Sequence, residues 1–408
     1  MKRYLSCLGA ALLAMSGPAA SQTPDIDEIW KIVQQQQREI AELKAQLADA
    51  DAQLAIADQK IEATGDYIES VSMTAAEPTT RIGGYGELHY NNLNATDSAQ
   101  DSEEIDFHRF VLFFGHDFND RVSFFSELEL EHSLAGDGKP GEVELEQAYI
   151  DFALTDSMSA KTGLFLMPVG FINETHEPPT FYGVERNAVE NVIIPATWWE
   201  AGAALSGHNE SGLSWDVAFH SGLAMPTTGS SAFRIRSGRQ KVAEAMASDP
   251  AVTFRLRYSG IPGLDLAASY QHQSDASQIA GDGLDAGNLF VANASYDIGA
   301  LRLKGLYSQW NFDGFAIEAA DADKQTGWYV EPSYRFGTNK GDWGFYARHT
   351  DVDGARAQDK FTQFEVGANY WPVDDVVLKF DFRQRDHELS SEAGRDFDGF
   401  DLGVGYQF

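Results

Sequence analysis

Residues 400–408 read FDLGVGYQF. Side chains of an extended strand alternate between its two faces. Phe400, Leu402, Val404, Tyr406 and Phe408 therefore share one side, and Asp401, Gly403, Gly405 and Gln407 the other. The first side is apolar and largely aromatic; the second is small or polar. The same period recurs upstream. Leu264, Leu266, Ala268 and Tyr270 oppose Asp265, Ala267, Ser269 and Gln271, and Trp328, Val330, Pro332, Tyr334 and Phe336 oppose Tyr329, Glu331, Ser333 and Arg335. From Arg81 onward nearly every segment has such an apolar side, and no helices remain to cover it. Lipid outside and water within satisfies all of them at once.

Sixteen segments carry this pattern: 81–91, 105–118, 121–131, 142–154, 157–167, 197–206, 212–222, 251–260, 263–273, 287–297, 299–311, 326–336, 342–350, 361–371, 375–387 and 397–408. Their connections alternate between short and long, as turns and external loops of an outer-membrane barrel do. The expected fold is all-β: a sixteen-stranded antiparallel transmembrane β-barrel over 78–408, preceded by an α-helical coiled coil. A barrel of this size is wide enough for an aqueous channel. The terminal aromatic Phe408 resembles the signal read by the outer-membrane assembly machinery. Tyr85, Tyr90, Trp198, Trp199, Trp371 and Tyr406 lie near segment ends and are expected in the interfacial girdles.

Two segments precede the barrel. Lys2 and Arg3, an apolar run from Leu5 to Met15 and the small residues Gly17, Ala19, Ala20 and Ser21 read as a signal peptide over 1–21. The single cysteine, Cys7, lies within it, so the mature chain has no thiol. Over 25–72, Ile26, Val33, Ile40, Leu47, Leu54, Ile61 and Ile68 hold one heptad position, which predicts a coiled-coil stalk within 22–77. Export and barrel together place the chain in the outer membrane of a Gram-negative bacterium, with the stalk in the periplasm.

The stretch 163–202, GLFLMPVGFINETHEPPTFYGVERNAVENVIIPATWWEAG, resembles the phosphate-selective porin O/P family. Gly163, Phe165, Pro168, Phe181, Glu185, Arg186, Pro195 and Gly202 carry the likeness, with LEQAYIDF at 145–152 beside it. The resemblance implies a trimeric channel whose third long loop folds inward to narrow the pore. In phosphate-selective members an arginine ladder and lysines guide the anion. No such set aligns here residue by residue, and the chain carries a net charge of −32.

Alternation assigns charges to the lumen. Glu127, Glu129 and Glu131 on the third segment and Glu142, Glu144 and Glu146 on the fourth are expected to form an acidic wall near the external mouth. Arg255, Arg257, Arg302, Lys304, Lys379, Arg383 and Arg385 are expected to form a basic wall facing it. Charged walls across a narrow aqueous gap set which ions enter. The third loop adds Glu174, His176, Glu177, Glu185, Arg186 and Glu190 as constriction residues.

The expected function is passive diffusion of ions and small hydrophilic solutes, phosphate among them, through a homotrimer in outer-membrane lipid, with no cofactor. The alternative is a non-conducting barrel whose stalk tethers the membrane to a partner such as peptidoglycan. The acidic charge argues against nucleic acid. Catalysis has little support. HEPP at 176–179 lacks a second histidine four residues on, and GGYG at 83–86 lacks a following helix. No loop shows metal-ligand spacing.

Overall fold

The computed structural model describes residues 79–408, together with Gln34 and Gln37, which are helical. Apart from those two glutamines, the expected signal peptide and coiled coil lie outside the described residues.

Sixteen strands form one closed antiparallel barrel. They are β1 (Thr79–Ala95), β2 (Ser102–Asn119), β3 (Val122–Glu131), β4 (Val143–Thr155), β5 (Met158–Leu166), β6 (Trp199–His208), β7 (Leu213–His220) and β8 (Ala251–Tyr258). Then come β9 (Leu264–Gln273), β10 (Gly287–Ile298), β11 (Leu301–Phe312), β12 (Lys324–Thr338), β13 (Gly341–Asp353), β14 (Lys360–Val373), β15 (Val376–His387) and β16 (Phe397–Gln407). Each expected segment overlaps one strand. Each strand pairs with its sequence neighbours, and β16 returns to β1, with Tyr85 opposite Gln407 and Ala95 opposite Phe397. Gly84 and Phe408 exchange both backbone hydrogen bonds, at 3.0 and 2.9 Å, and extend that seam. Closure leaves no unpaired strand edge in the bilayer.

Local chemistry sets the turns. Between β2 and β3, the Asn119 side chain accepts from the backbone N–H groups of Arg121 and Val122. Between β6 and β7, Asn209 accepts from Ser211 and Leu213, and Gly212 takes the left-handed conformation (φ 83°) that glycine tolerates.

On β16, Phe400, Leu402 and Val404 are exposed on the outer face, while Asp401, Gly403 and Gly405 are buried inside. Phe254, Phe290, Tyr334, Phe345 and Phe380 are likewise exposed outward. The expected girdle needs correction. Tyr85, Trp198, Trp199 and Trp371 are buried, so they do not stand at the lipid interface. Trp198 Nε1 donates to Glu200, and Trp371 Nε1 donates to the carbonyl of Pro179 in the third loop. Both are tied to polar groups of the interior.

The interior also departs from a uniformly wet lumen. Met167, Ile193, Ile194 and Trp198 of the third loop pack with Leu223, Met225, Phe233 and Ile235 of the fourth. Leu289, Val291, Leu306 and Trp310 of β10 and β11 complete this apolar cluster. These two strands are thus apolar on both faces along part of their length.

Candidate functional site: two loops across the lumen

The third loop, residues 167–198, joins β5 to β6 and reaches strands all round the barrel. Val184 N–H donates to Asp381 on β15 (2.6 Å), and the Phe181 and Tyr182 carbonyls accept from Asn369 on β14 and Arg348 on β13. On other sides, the Ile193 carbonyl accepts from Trp310 on β11, and the Pro168 carbonyl accepts from Ser269 on β9. Gly405 on β16 stands so close to Pro178 that a Cβ there would lie 2.2 Å from its ring.

Glu190 holds the loop's own fold. It sits on a four-residue helix, Val189–Val192, and accepts from the N–H groups of Phe171 and Ile172 and from the Tyr329 hydroxyl, each at 2.7 Å. Glu190→Ala leaves two N–H groups and the Tyr329 hydroxyl without their acceptor. It is expected to cost about 3 kcal/mol of local stability, since each donor left unsatisfied costs roughly 1–3 kcal/mol and the low end applies where water can reach it. Single-channel recording should show a larger, noisier open state; an unchanged trace would mean that the loop keeps its place without this anchor.

The fourth loop, residues 221–250, folds in beside it. Arg236 donates to the carbonyl of Ala196 (2.6 Å), and Arg239 to those of Pro195 (3.2 Å) and Thr197. Arg234 clamps Asp359 through two hydrogen bonds of 2.7 and 2.8 Å. None of these arginines was expected from alternation, because the loop has no strand period. The signal was present as RIRSGRQK at 234–241, a run of four cations in an acidic chain.

The expected acidic wall exists as a set of neighbours but not as a bare surface. Glu129 meets Arg109 at 3.2 Å. Glu127 accepts from Gln147 (2.7 Å) and lies 3.2 Å from His176 Nε2. Glu146 accepts from Thr197 (2.6 Å) and lies 3.7 Å from the same histidine. Glu142 and Glu144 share Lys241. Glu131 alone of the six is half-exposed on a cavity without a paired cation among the described residues. A β-bulge in β4 turns Glu146 and Gln147 inward together, since Glu127 pairs with Gln147 and Leu128 with Leu145.

The expected basic wall is corrected in a similar way: it is two separate groups, in which Arg255, Arg257, Arg302 and Arg383 are paired with carboxylates and Lys304, Lys379 and Arg385 are not. On β8 and β11, Arg255 pairs with Asp216 and with Glu174 of the third loop, Arg257 with Asp265 (2.5 Å), and Arg302 with Asp297 (2.6 Å). Lys304 lies 4.4 Å from the centre of the Phe171 ring. On β15, Lys379 donates to the Gly183 carbonyl (2.8 Å), Arg383 pairs with Asp401, and Arg385 donates to Gln363 (2.8 Å). Among the third-loop residues, Glu185 receives His89 and Asn91, each at 3.2 Å, and the Glu177 carbonyl accepts from Thr180 (2.7 Å).

Two polar cavities lie against different parts of the third loop. A loop-side cavity of about 350 Å³ is lined by Glu185, Arg186, Thr197, Arg109, Arg236 and Arg239, with His108, Glu131 and Lys241 among its other walls. A turn-side cavity of about 430 Å³ is lined by Phe171, Glu174, Arg255, Arg257, Arg302 and Lys304. Arg186 makes one long hydrogen bond, 3.5 Å to Thr197, and its Nε and Nη2 are buried without partners. Among the described residues, neither Arg186, Arg236 nor Arg239 lies within ion-pair distance of a carboxylate. Burial, then the neighbouring cations of Arg239 and Arg186, pushes the Arg236 guanidinium down to about 9.

Charged cavities inside a closed barrel that presents lipid with an apolar surface define an outer-membrane porin, a channel rather than an enzyme. The chain belongs to the family of phosphate-selective porins O and P, whose profile matches residues 81–408. A protein of Aquifex aeolicus (strain VF5) is 29% identical over 337 residues, covering 75% of this chain and 76% of that one. The barrel is similar in fold to the anion-selective porin from Comamonas acidovorans (14% identity, 81% of this chain and 100% of that chain, TM-score 0.57). It is also similar to the outer membrane channel DcaP of Acinetobacter baumannii (12% identity, 82% and 99% covered, TM-score 0.56).

Proposed function

We propose that the barrel passes small anions by passive diffusion, from the loop-side cavity past the third loop to the turn-side cavity. Arg186, Arg236 and Arg239 are the charge filter of this path. The observation that carries the reading is their lack of carboxylate partners, when most other lumen cations are paired. A hydrated anion entering there meets three guanidiniums that no carboxylate holds in a direct ion pair, in a cavity that Glu131 and Glu185 also line. The average charge of −32 does not oppose this, because selectivity is set within a few ångströms of the narrowest point. The family's phosphate selectivity and the Comamonas porin's anion selectivity point the same way.

In this reading the third loop is the constriction, and the fourth loop places two of its three arginines. The barrel works as a homotrimer, with the heptad segment as a periplasmic stalk. Transport needs neither energy nor a cofactor.

The test is reversal potential in planar bilayers across a KCl gradient, with and without phosphate. The expected result is chloride preference, with chloride current reduced by millimolar phosphate. Cation preference would overturn the filter. Silence from well-inserted barrels would favour the non-conducting tether.

A further inference from the structure

Three of the chain's ten histidines gather on one patch of the inner wall. His108 Nδ1 and His132 Nδ1 approach the same Asp106 oxygen, at 3.0 and 2.7 Å. The His89 and His108 rings stack with centres 4.6 Å apart and planes 13° from parallel. The His132 ring stands at 87° to that of His108, with centres 5.4 Å apart. The donor atoms of Asp106, His108 and His132 lie within 4.8 Å of one another, and so do those of His89, His108 and Glu185. Two trios of nitrogen and oxygen donors thus share His108.

The fold assembles this group from four places in the chain. Strict alternation puts His108 on the face opposite Arg109. A bulge in β2 undoes that: Glu87 pairs with Arg109 but His89 pairs with Asp106, so β2 carries one extra residue there. His108 and Arg109 then both turn inward, in the way bulges re-aim side chains. His132 follows the end of β3 in a left-handed conformation (φ 50°), with its N–H on the His108 carbonyl (3.1 Å).

Imidazole nitrogens mixed with carboxylate oxygens suit zinc and its neighbours, whereas calcium and magnesium take oxygen alone. Around a tetrahedral zinc with bonds of about 2.05 Å, donor atoms stand roughly 3.3 Å apart. The Asp106 contacts are a few tenths of an ångström shorter, a gap that side-chain rotation closes. Glu87 lies 3.2 Å from His89 Nε2 and is itself held by Arg109 (2.7 Å), the outer support that fixes ligand histidines. His89, His108, His132 and Glu185 all line the loop-side cavity, so an ion can reach them from solution.

We propose that His108, His132 and Asp106 bind a zinc-class divalent cation in the wall of the loop-side cavity, with His89 and Glu185 as adjoining ligands. The bound ion sets two positive charges beside Arg186 and makes the channel's selectivity responsive to metal.

The test is calorimetry of ZnCl₂ into the purified, tag-free chain in detergent and a non-chelating buffer. The expected result is saturable binding of about one zinc per chain, weakened at least tenfold by His108→Ala and by His132→Ala. Excess CaCl₂ should not compete. Asp106→Asn, which keeps its shape, should weaken binding too and guards against a misfolded alanine variant. No saturable heat, equal affinity in all three variants, or competition by calcium would each overturn the proposal and leave a hydrogen-bonded histidine cluster. In bilayers, micromolar zinc should raise the anion preference of the wild-type channel and leave His108→Ala unmoved. Calorimetry needs no open pore, so its outcome is independent of the channel reading.

Discussion

Replacing Arg186, Arg236 and Arg239 together with alanine is expected to abolish anion preference and shift the reversal potential toward the cation side. A unit charge about 6 Å from a permeating ion contributes about 3 kcal/mol at an effective dielectric of ~20. Water and counterions screen this toward about 1 kcal/mol. Each arginine is then worth roughly a tenfold change in the anion-to-cation permeability ratio, and adjacent charges will not add simply. The triple variant should still fold. Arg236 and Arg239 donate to backbone carbonyls of the third loop and Arg186 to the Thr197 hydroxyl, and none of the three holds a buried carboxylate. Arg257→Ala is the contrasting variant, because Arg257 is offset by Asp265 and stands on the turn-side cavity. An equal shift from Arg257→Ala would remove the special role of the unpaired three.

Arg348→Met is expected to be among the most destabilising single changes in the barrel, at about 3–5 kcal/mol. Arg348 on β13 is 1% exposed and bridges Glu331 on β12 (2.6 Å) and Glu365 on β14 (2.9 Å). Its remaining donor reaches the Tyr182 carbonyl of the third loop (2.7 Å). Methionine keeps the volume but leaves two buried carboxylates side by side without a cation. The thermal unfolding midpoint in detergent should fall, and channel noise should rise as the loop loses that anchor. The triple variant Arg348→Met, Glu331→Gln and Glu365→Gln removes all three charges and should recover much of the loss. A change below about 1 kcal/mol in the single variant would show that water already solvates the pair, and the anchoring role would fall with it.

Arg348 illustrates what one strand cannot reveal. It stood in an expected strand, but its worth comes from partners seventeen residues away on either side and from a loop much further off. The acidic and basic stripes show the converse. Alternation placed Glu127, Glu129, Arg255 and Arg383 inside, because a period of two is a property of the backbone alone. Whether each charge stays bare depends on Arg109, His176, Asp216 and Asp401, brought alongside by pairing register and loop folding. Alternation cannot place His108 for a related reason: a bulge adds one residue to β2 and leaves no mark in the period that precedes it.

The sequence by itself determined the barrel. Sixteen alternating segments, short turns and long loops recur without reference to any distant contact, and lipid outside with polar groups inside is the arrangement that accommodates them. It also carried the family likeness, on residues 163–202. The tertiary structure decided the interior: which cations keep their charge, how loops three and four share an apolar core, and where His89, His108 and His132 meet. Those outcomes depend on contacts between residues far apart in the chain, in loops with no period to read, and a net charge of −32 says nothing about them.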